Sequence, residues 1–251
     1  MALEIHQFAY GQDKYGVLLH DGASGETAMI DAGDAAAART AMAKTGWQLT
    51  QIWITHHHGD HTAGLMDIAA ESGAATYGPA GISGVATTLA GGDSFAFAGR
   101  QVEVLATPGH TLDMLNFHLA PEKLAFTGDT LFAMGCGRLF EGDAAMMWDS
   151  LGKLMALDDD TVIYCSHEYT AANAAFALSV DPDNHALQRR AEAVAELRAA
   201  GLPTVPTIIA LEKETNPFLR AGDAAIRKRL GMESAPDAAV FAEIRRRKDS
   251  F

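Results

Sequence analysis

The first two thirds of the chain set short apolar runs between Gly- or Asp-rich turns, the pattern that buried and half-buried strands leave in a sequence. These runs are ALEIHQFAY, GVLLH, TAMID, QIWIT, QVEVLAT, LNFHLA, KLAFTGD and TVIYCSH, the last ending at His167. Helical stretches fall between them. Residues 34–46, DAAAARTAMAKTG, open on an Asp suited to capping and close on a Gly; residues 61–73, HTAGLMDIAAESG, also close on a Gly, and residues 143–157, DAAMMWDSLGKLMAL, run into an acidic loop. From about Thr170 the strand pattern stops, and AANAAFALSV, NHALQRRAEAVAELRAAG and DAAIRKRLG predict helices joined by Pro-containing segments such as GLPTVPT. The expected organisation is an αβ domain of mixed strand order over residues 1–169, followed by a small helical domain over residues 170–251.

Composition narrows the class. With 251 residues, 48% of them apolar, the chain can bury a substantial core. The opening MALEIHQFAY lacks the basic start, apolar stretch and cleavage site of a secretory signal, and no apolar run approaches about 18 residues, so a soluble cytoplasmic protein without a membrane partner is expected. A net charge of −13 argues against nucleic-acid binding, which works by neutralising phosphates. That charge is uneven: residues 1–188 carry 7 basic and 23 acidic side chains, whereas residues 189–251 carry 12 basic and 9 acidic. The two cysteines, Cys136 and Cys165, are too few for a disulfide framework and are not spaced as a CxxC pair; buried free thiols are expected.

The chemistry concentrates in THHHGDHTAG, residues 55–64. In an extended segment alternate side chains share a face, so His56 and His58 project together and can grip one ion, while His57 points away. Gly59 permits a turn, after which Asp60 and His61 can reach a second ion. Further donors stand after apolar runs downstream: His110 after VEVLATPG, Asp129 after KLAFTG, and His167 after VIYCS. If these loops converge, His56, His58 and His110 serve one metal, Asp60, His61 and His167 serve the other, and the two oxygens of Asp129 bridge them, leaving each ion a position for water. Asp31, closing TAMID, either backs a ligand imidazole and fixes its tautomer or serves as a turn aspartate. His6, His20, His118 and His185 have no place in this scheme.

HxHxDH followed by isolated His, Asp and His resembles the metallo-β-lactamase superfamily. Within it, THHHGDH, TPGHT, FTGDTLF, CGRLFEG, YCSHEYTAANAAFA, TNPFLR and the closing RRRKDSF resemble the glyoxalase II family of hydroxyacylglutathione hydrolases. The likeness spans nearly the whole chain. It implies an α+β fold, a four-layer αββα sandwich with a small helical C-terminal domain, and a glutathione thioester such as S-lactoylglutathione as substrate, cleaved to glutathione and lactate in methylglyoxal detoxification. It also implies a substrate site at Arg138, Phe140, Tyr169, Arg245 and Lys248. Arg138 and Phe140 depart from the commoner Lys and Tyr at those positions, keeping a charge of different geometry and losing a hydroxyl. Asn216 and Pro217 in TNPFLR read as a turn, and Phe218 and Leu219 as buried anchors.

The mechanism expected is hydrolysis by a hydroxide activated between two divalent ions, zinc in the first instance, with iron or manganese also suited to the donors. Asp129 acts as the bridge, and Asp60, besides ligating, can orient or briefly hold a proton. A leaving thiol with a pKa near about 8.5 departs without a strong general acid. The alternative within the superfamily is an iron-dependent glutathione persulfide dioxygenase, which needs one redox-active ion and not the donors His61 and His167. A nuclease-like or purely metal-binding module fits less well with the acidic first domain and with vacant coordination positions.

Overall fold

In a computed structural model that describes residues 3–251, the alternation of the first runs becomes an antiparallel pair, β1 (Glu4–Tyr10) and β2 (Lys14–His20), with Tyr10 opposite Lys14. β3 (Thr27–Ile30) continues antiparallel. Helix α1 (Ala35–Thr45) then forms a crossover, so β4 (Gln51–Trp53) lies parallel to β3. As the sequence predicts, Asp34 caps α1 by accepting from the Ala37 N–H at 2.9 Å, and Gly46 ends it.

The helix expected over residues 61–73 is instead two pieces, α2 (Gly59–Thr62) and α3 (Leu65–Ser72). The break has a local cause. Ala32 N donates to His61 O and Gly64 N donates to Ala32 O, at 2.8 and 2.7 Å, and a Cβ on Gly64 would lie 2.6 Å from Ala35 N. The segment after β3 docks so closely that its partner's helix cannot run through. β5 (Ala75–Gly78) and β6 (Thr87–Thr88) extend the parallel part of this sheet, and β7 (Ser94–Phe97), β8 (Arg100–Ala106) and β9 (Leu115–Leu119) form an antiparallel series. Leu18, Met29, Ile52, Ile54, Leu65 and Ile68 are fully or almost fully buried together, and Trp53 meets Phe95 and Phe97 edge-on at ring separations of 5.1 and 5.4 Å. The described residues up to Ala106, with Asp113–Glu122, make one compact unit.

The second unit comprises Thr107–Leu112 and Lys123–Phe251. It contains β10 (Leu124–Gly128), the hairpin β11 (Leu131–Phe132) and β12 (Gly135–Cys136), α4 (Ala144–Met155), and β13 (Val162–Cys165), which pairs parallel with β10. Helices α5 (Thr170–Val180) and α6 (His185–Ala199) follow as predicted. A two-residue strand, β14 (Thr207–Ile208), then pairs with β13, departing from the expectation of helices alone after Thr170. Helices α7 (Ile209–Thr215), α8 (Ala224–Leu230) and α9 (Asp237–Asp249) complete the chain. Among the described residues no helix is long and apolar enough to cross a membrane.

A buried carboxylate organises this unit. Glu212, 0% exposed, accepts from Arg190 Nη2 at 2.5 Å, Thr207 Oγ1 at 2.6 Å, and both Met134 N and Asn216 Nδ2 at 2.9 Å. Asn216 also donates to Gly135 O at 3.0 Å, and its Oδ1 accepts from the Phe218 N–H at 3.0 Å. The TNPFLR segment is thus more than the turn expected of it, while Phe218 and Leu219 are buried as expected. Asn216→Ala strips these bonds and leaves buried acceptors short of donors, so a loss of about 2–4 kcal/mol is expected in urea unfolding. A loss below about 0.5 kcal/mol, the range of inert surface changes, would refute this account of the segment.

Candidate metal centre

Beyond β4 the chain stays extended long enough to set His56 and His58 on one side, with His56 Nε2 and His58 Nδ1 3.0 Å apart. His57 turns away to Asp113 Oδ1 at 3.0 Å with its side chain 44% exposed, outside the donor group as expected. Thr55 Oγ1 lies 3.0 and 3.1 Å from the Asp31 oxygens and 3.0 Å from His56 Nδ1. A hydroxyl has one proton; given to Asp31, it leaves Oγ1 to accept from His56 Nδ1–H, which places the His56 lone pair on Nε2. Two imidazole nitrogens on one tetrahedral zinc stand about 3.3–3.4 Å apart, close to the spacing of the His56 and His58 nitrogens.

Asp31 is the imidazole-backing residue of its two alternatives. Buried and held at φ 57°, it accepts from the Thr55 N–H at 2.8 Å and from His61 Nδ1 at 2.7 Å. His61, 1% exposed, therefore keeps its proton on Nδ1 and its lone pair on Nε2. Asp60 Oδ2 lies 3.9 Å from that Nε2 and 3.3 Å from Lys14 Nζ, and Tyr10 Oη donates to Asp60 O at 2.9 Å. A Cβ on Gly33 would sit 1.7 Å from the same carbonyl, so only glycine admits this approach. Sequence reasoning missed Tyr10, Lys14 and Gly33, which sit far from the histidine loop and carry no local signal.

In the second unit, His110, Asp129 and His167 are 4%, 5% and 3% exposed. His110 lies four residues past β8, Asp129 directly after β10 and His167 two past β13, as the strand-end reading required. One carboxylate oxygen, Asp129 Oδ2, stands 3.4 Å from His110 Nε2 and 3.3 Å from His167 Nε2. His110 Nδ1 donates to Arg138 O at 2.7 Å, again directing the lone pair to Nε2. These are donors a divalent-metal site requires, with His56, His61 and His110 each held by an outer partner and a carboxylate able to serve two ions, and they suit zinc, iron or manganese.

The residues expected to hold substrate all lie in this unit. Phe140 is exposed and meets His110 edge-on at 5.2 Å, and Tyr169 stacks on His167 at 4.6 Å. Arg138 is exposed, with Nε 3.5 Å from Asp249 Oδ1. Arg245 is buried, donating to Cys136 O at 2.9 Å and to Asp249 Oδ1 at 2.8 and 3.1 Å. Lys248 Nζ donates to Ala172 O at 2.9 Å and sits over the rings of Phe176 and Phe251; burial, with Arg245 beside it, lowers its pKa. Both cysteines are buried as expected. Burial pushes Cys136 up to about 11 and Cys165 up to about 12, so at neutral pH both are protonated thiols, not nucleophiles.

Residues 17–167 match the family model of the metallo-β-lactamase superfamily, and residues 168–251 match that of the hydroxyacylglutathione hydrolase C-terminus. A hydroxyacylglutathione hydrolase of Rhizobium meliloti (strain 1021) is 55% identical, covering 100% of this chain and 99% of its own length. One from Brucella anthropi is 54% identical over 99% of this chain and 97% of its own. The crystal structure of ETHE1 from Myxococcus xanthus matches with a TM-score of 0.67 at 25% identity, covering 100% of this chain and 99% of its own. The fold is that of the metallo-β-lactamases with a helical C-terminal domain, and the chain carries a divalent-metal site.

The basic end of α9 also yields a pH dependence. Hydrogen bonds from Arg246 and then Arg247 pull Glu243 from 4.5 down to about 2. A carboxylate whose folded pKa is depressed stabilises the fold above its unfolded pKa, and that contribution disappears as pH falls through the folded value. The melting-temperature difference between the wild type and Glu243→Gln should therefore be constant above about pH 5 and shrink towards pH 2. A difference that grows on acidification would contradict the pairing.

Proposed function

The chain belongs to the hydroxyacylglutathione hydrolase family of the metallo-β-lactamase superfamily, and from that membership we propose that its two sets of donors together hold a pair of divalent ions. The chain is a metal-dependent hydrolase of S-(2-hydroxyacyl)glutathione thioesters. In this reading S-lactoylglutathione is the substrate, and methylglyoxal detoxification in the cytoplasm is the setting. His56, His58 and His110 would hold the first ion, Asp60, His61 and His167 the second, and Asp129 would serve both. The observation that carries the assignment is the single Asp129 oxygen flanked by two imidazole Nε2 atoms at 3.3 and 3.4 Å.

A bound divalent ion, zinc above all, would supply Lewis acidity, bringing the pKa of water from 15.7 towards about 7. The protein supplies the rest. Asp31 and Arg138 O keep His61 and His110 in the ligating tautomer. Lys14 steers Asp60, whose carboxylate can orient or take up a proton. Arg138, Phe140, Tyr169, Arg245 and Lys248 bind the glutathione moiety, the last two from the helical domain, residues 170–251. The thiolate leaves on its own, since its pKa of about 8.5 needs no strong acid. The persulfide dioxygenase alternative is not favoured, because relatives matching over the full length are hydroxyacylglutathione hydrolases.

Metal-replete protein should cleave S-lactoylglutathione, and elemental analysis should return two ions per chain. His58→Ala and Asp129→Ala should each lower turnover by more than the roughly 10–100-fold that loss of an outer partner costs, with an unchanged circular dichroism spectrum. Undiminished activity in either variant would remove that residue from the site; a single ion with oxygen uptake on glutathione persulfide would select the dioxygenase. Asp31→Asn should weaken metal binding about 10–100-fold, measured by chelator competition. An unaltered affinity would show that the His61–Asp31 bond does not tune a ligand.

A further inference from the structure

Four basic residues close α9, and they are not equivalent. Arg246 and Arg247 are taken by Glu243, and Lys248 by Ala172 O. Arg245 is held by Cys136 O and by the face of Phe218, with its guanidinium carbon 5.0 Å from the ring centroid. Its remaining donors, Nε and Nη2, go to one oxygen, Asp249 Oδ1, and the Nε of Arg138 stands 3.5 Å from that same oxygen. The Arg138 and Asp249 side chains are 59% and 38% exposed, so this carboxylate fills an anion seat that is open to solvent.

Resting on the glutathione-thioester reading above, which supplies a substrate bearing carboxylates, we propose that Asp249 is an internal placeholder for a substrate carboxylate at Arg138. The substrate's carboxylate and that of Asp249 compete for one guanidinium, and Asp249, being tethered, is always present. Displacing it consumes part of the substrate's binding energy, so Asp249 weakens substrate binding and selects ligands with a carboxylate able to replace it. The seat is tied to the metal centre by covalent proximity: the backbone carbonyl of Arg138 is the acceptor that fixes His110. Asp249 touches no reacting atom and is a positioning and specificity residue.

The test is Asp249→Asn, which keeps an oxygen acceptor for Arg245 while removing the charge. An exposed ion pair of about 0.2–1 kcal/mol corresponds to a fall in KM for S-lactoylglutathione of up to about fivefold, with kcat unchanged. The fall should vanish when the glycine carboxylate of the substrate is amidated, and in an Arg138→Ala background. A KM that is unchanged or raised in a normally melting variant overturns the proposal, as does a fall that persists without Arg138, which would be a general charge effect. Asp249→Ser gives the same reading should the Asn protein fail to fold. Wild-type protein inert towards the thioester would defeat the functional reading and this proposal with it; an active wild type without the predicted KM change defeats the placeholder alone.

Discussion

The carboxylate of Asp31 is the fixed point of the histidine loop. A buried anion is tolerable only when its oxygens are satisfied, and here the Thr55 amide, the Thr55 hydroxyl and His61 do so together. Each bond has a consequence. The Thr55 bonds pin the residue before His56, the His61 bond leaves the lone pair of that ring on Nε2, and the backbone pairing of Ala32 with His61 and Gly64 forces the helix to break where it does. Gly33 lets the backbone approach Asp60 more closely than any side chain would allow. The spacing of HxHxDH becomes useful only because β3, paired alongside the strand that precedes the motif, runs into this anchor.

The second unit solves the same problem by different means. Arg138 O does for His110 what Asp31 does for His61, using a neutral carbonyl in place of a carboxylate. That carbonyl lies just past the β11–β12 hairpin, which is held from the helical side: Asn216 grips Gly135 O, Glu212 grips Met134 N, and Arg245 grips Cys136 O. Buried polar groups on α7 and α9 therefore determine where Arg138 stands, and through it how His110 is aimed. Polar networks of this kind are worth their desolvation when fully satisfied, because they admit one arrangement. The helical elements thus reach His110 through the hairpin and the Arg138 carbonyl.

Much of this was legible in the residues. Alternation and apolar runs located most of the strands, Asp34, Gly46 and Asp143 marked helix ends, and the seven donors stood out because no core needs so many histidines beside strand ends. What escaped depends on contacts between distant segments. Lys14 and Tyr10 are ordinary strand residues until a hairpin brings them to Asp60, and Glu212 reads as one surface charge in ALEKET until four donors surround it. The closing RRRK run reads as a uniform basic end; helical period puts Arg245 one turn after the buried Phe241, so it faces inward while Arg246 and Arg247 face Glu243.

The uneven charge of the chain then acquires a chemical meaning. A strongly acidic body, carrying 23 acidic and 7 basic side chains over residues 1–188, favours divalent cations and disfavours an anionic thioester; a basic excess is confined to residues 189–251, where Arg245 and Lys248, proposed above as substrate contacts, stand. Were all of that excess free, recruitment would extend to any polyanion. The three closing arginines are not free: Arg246 and Arg247 pair with Glu243, and Arg245 with Asp249. Affinity is restrained, and selectivity comes from requiring that a ligand present its carboxylates where the protein's own can be displaced.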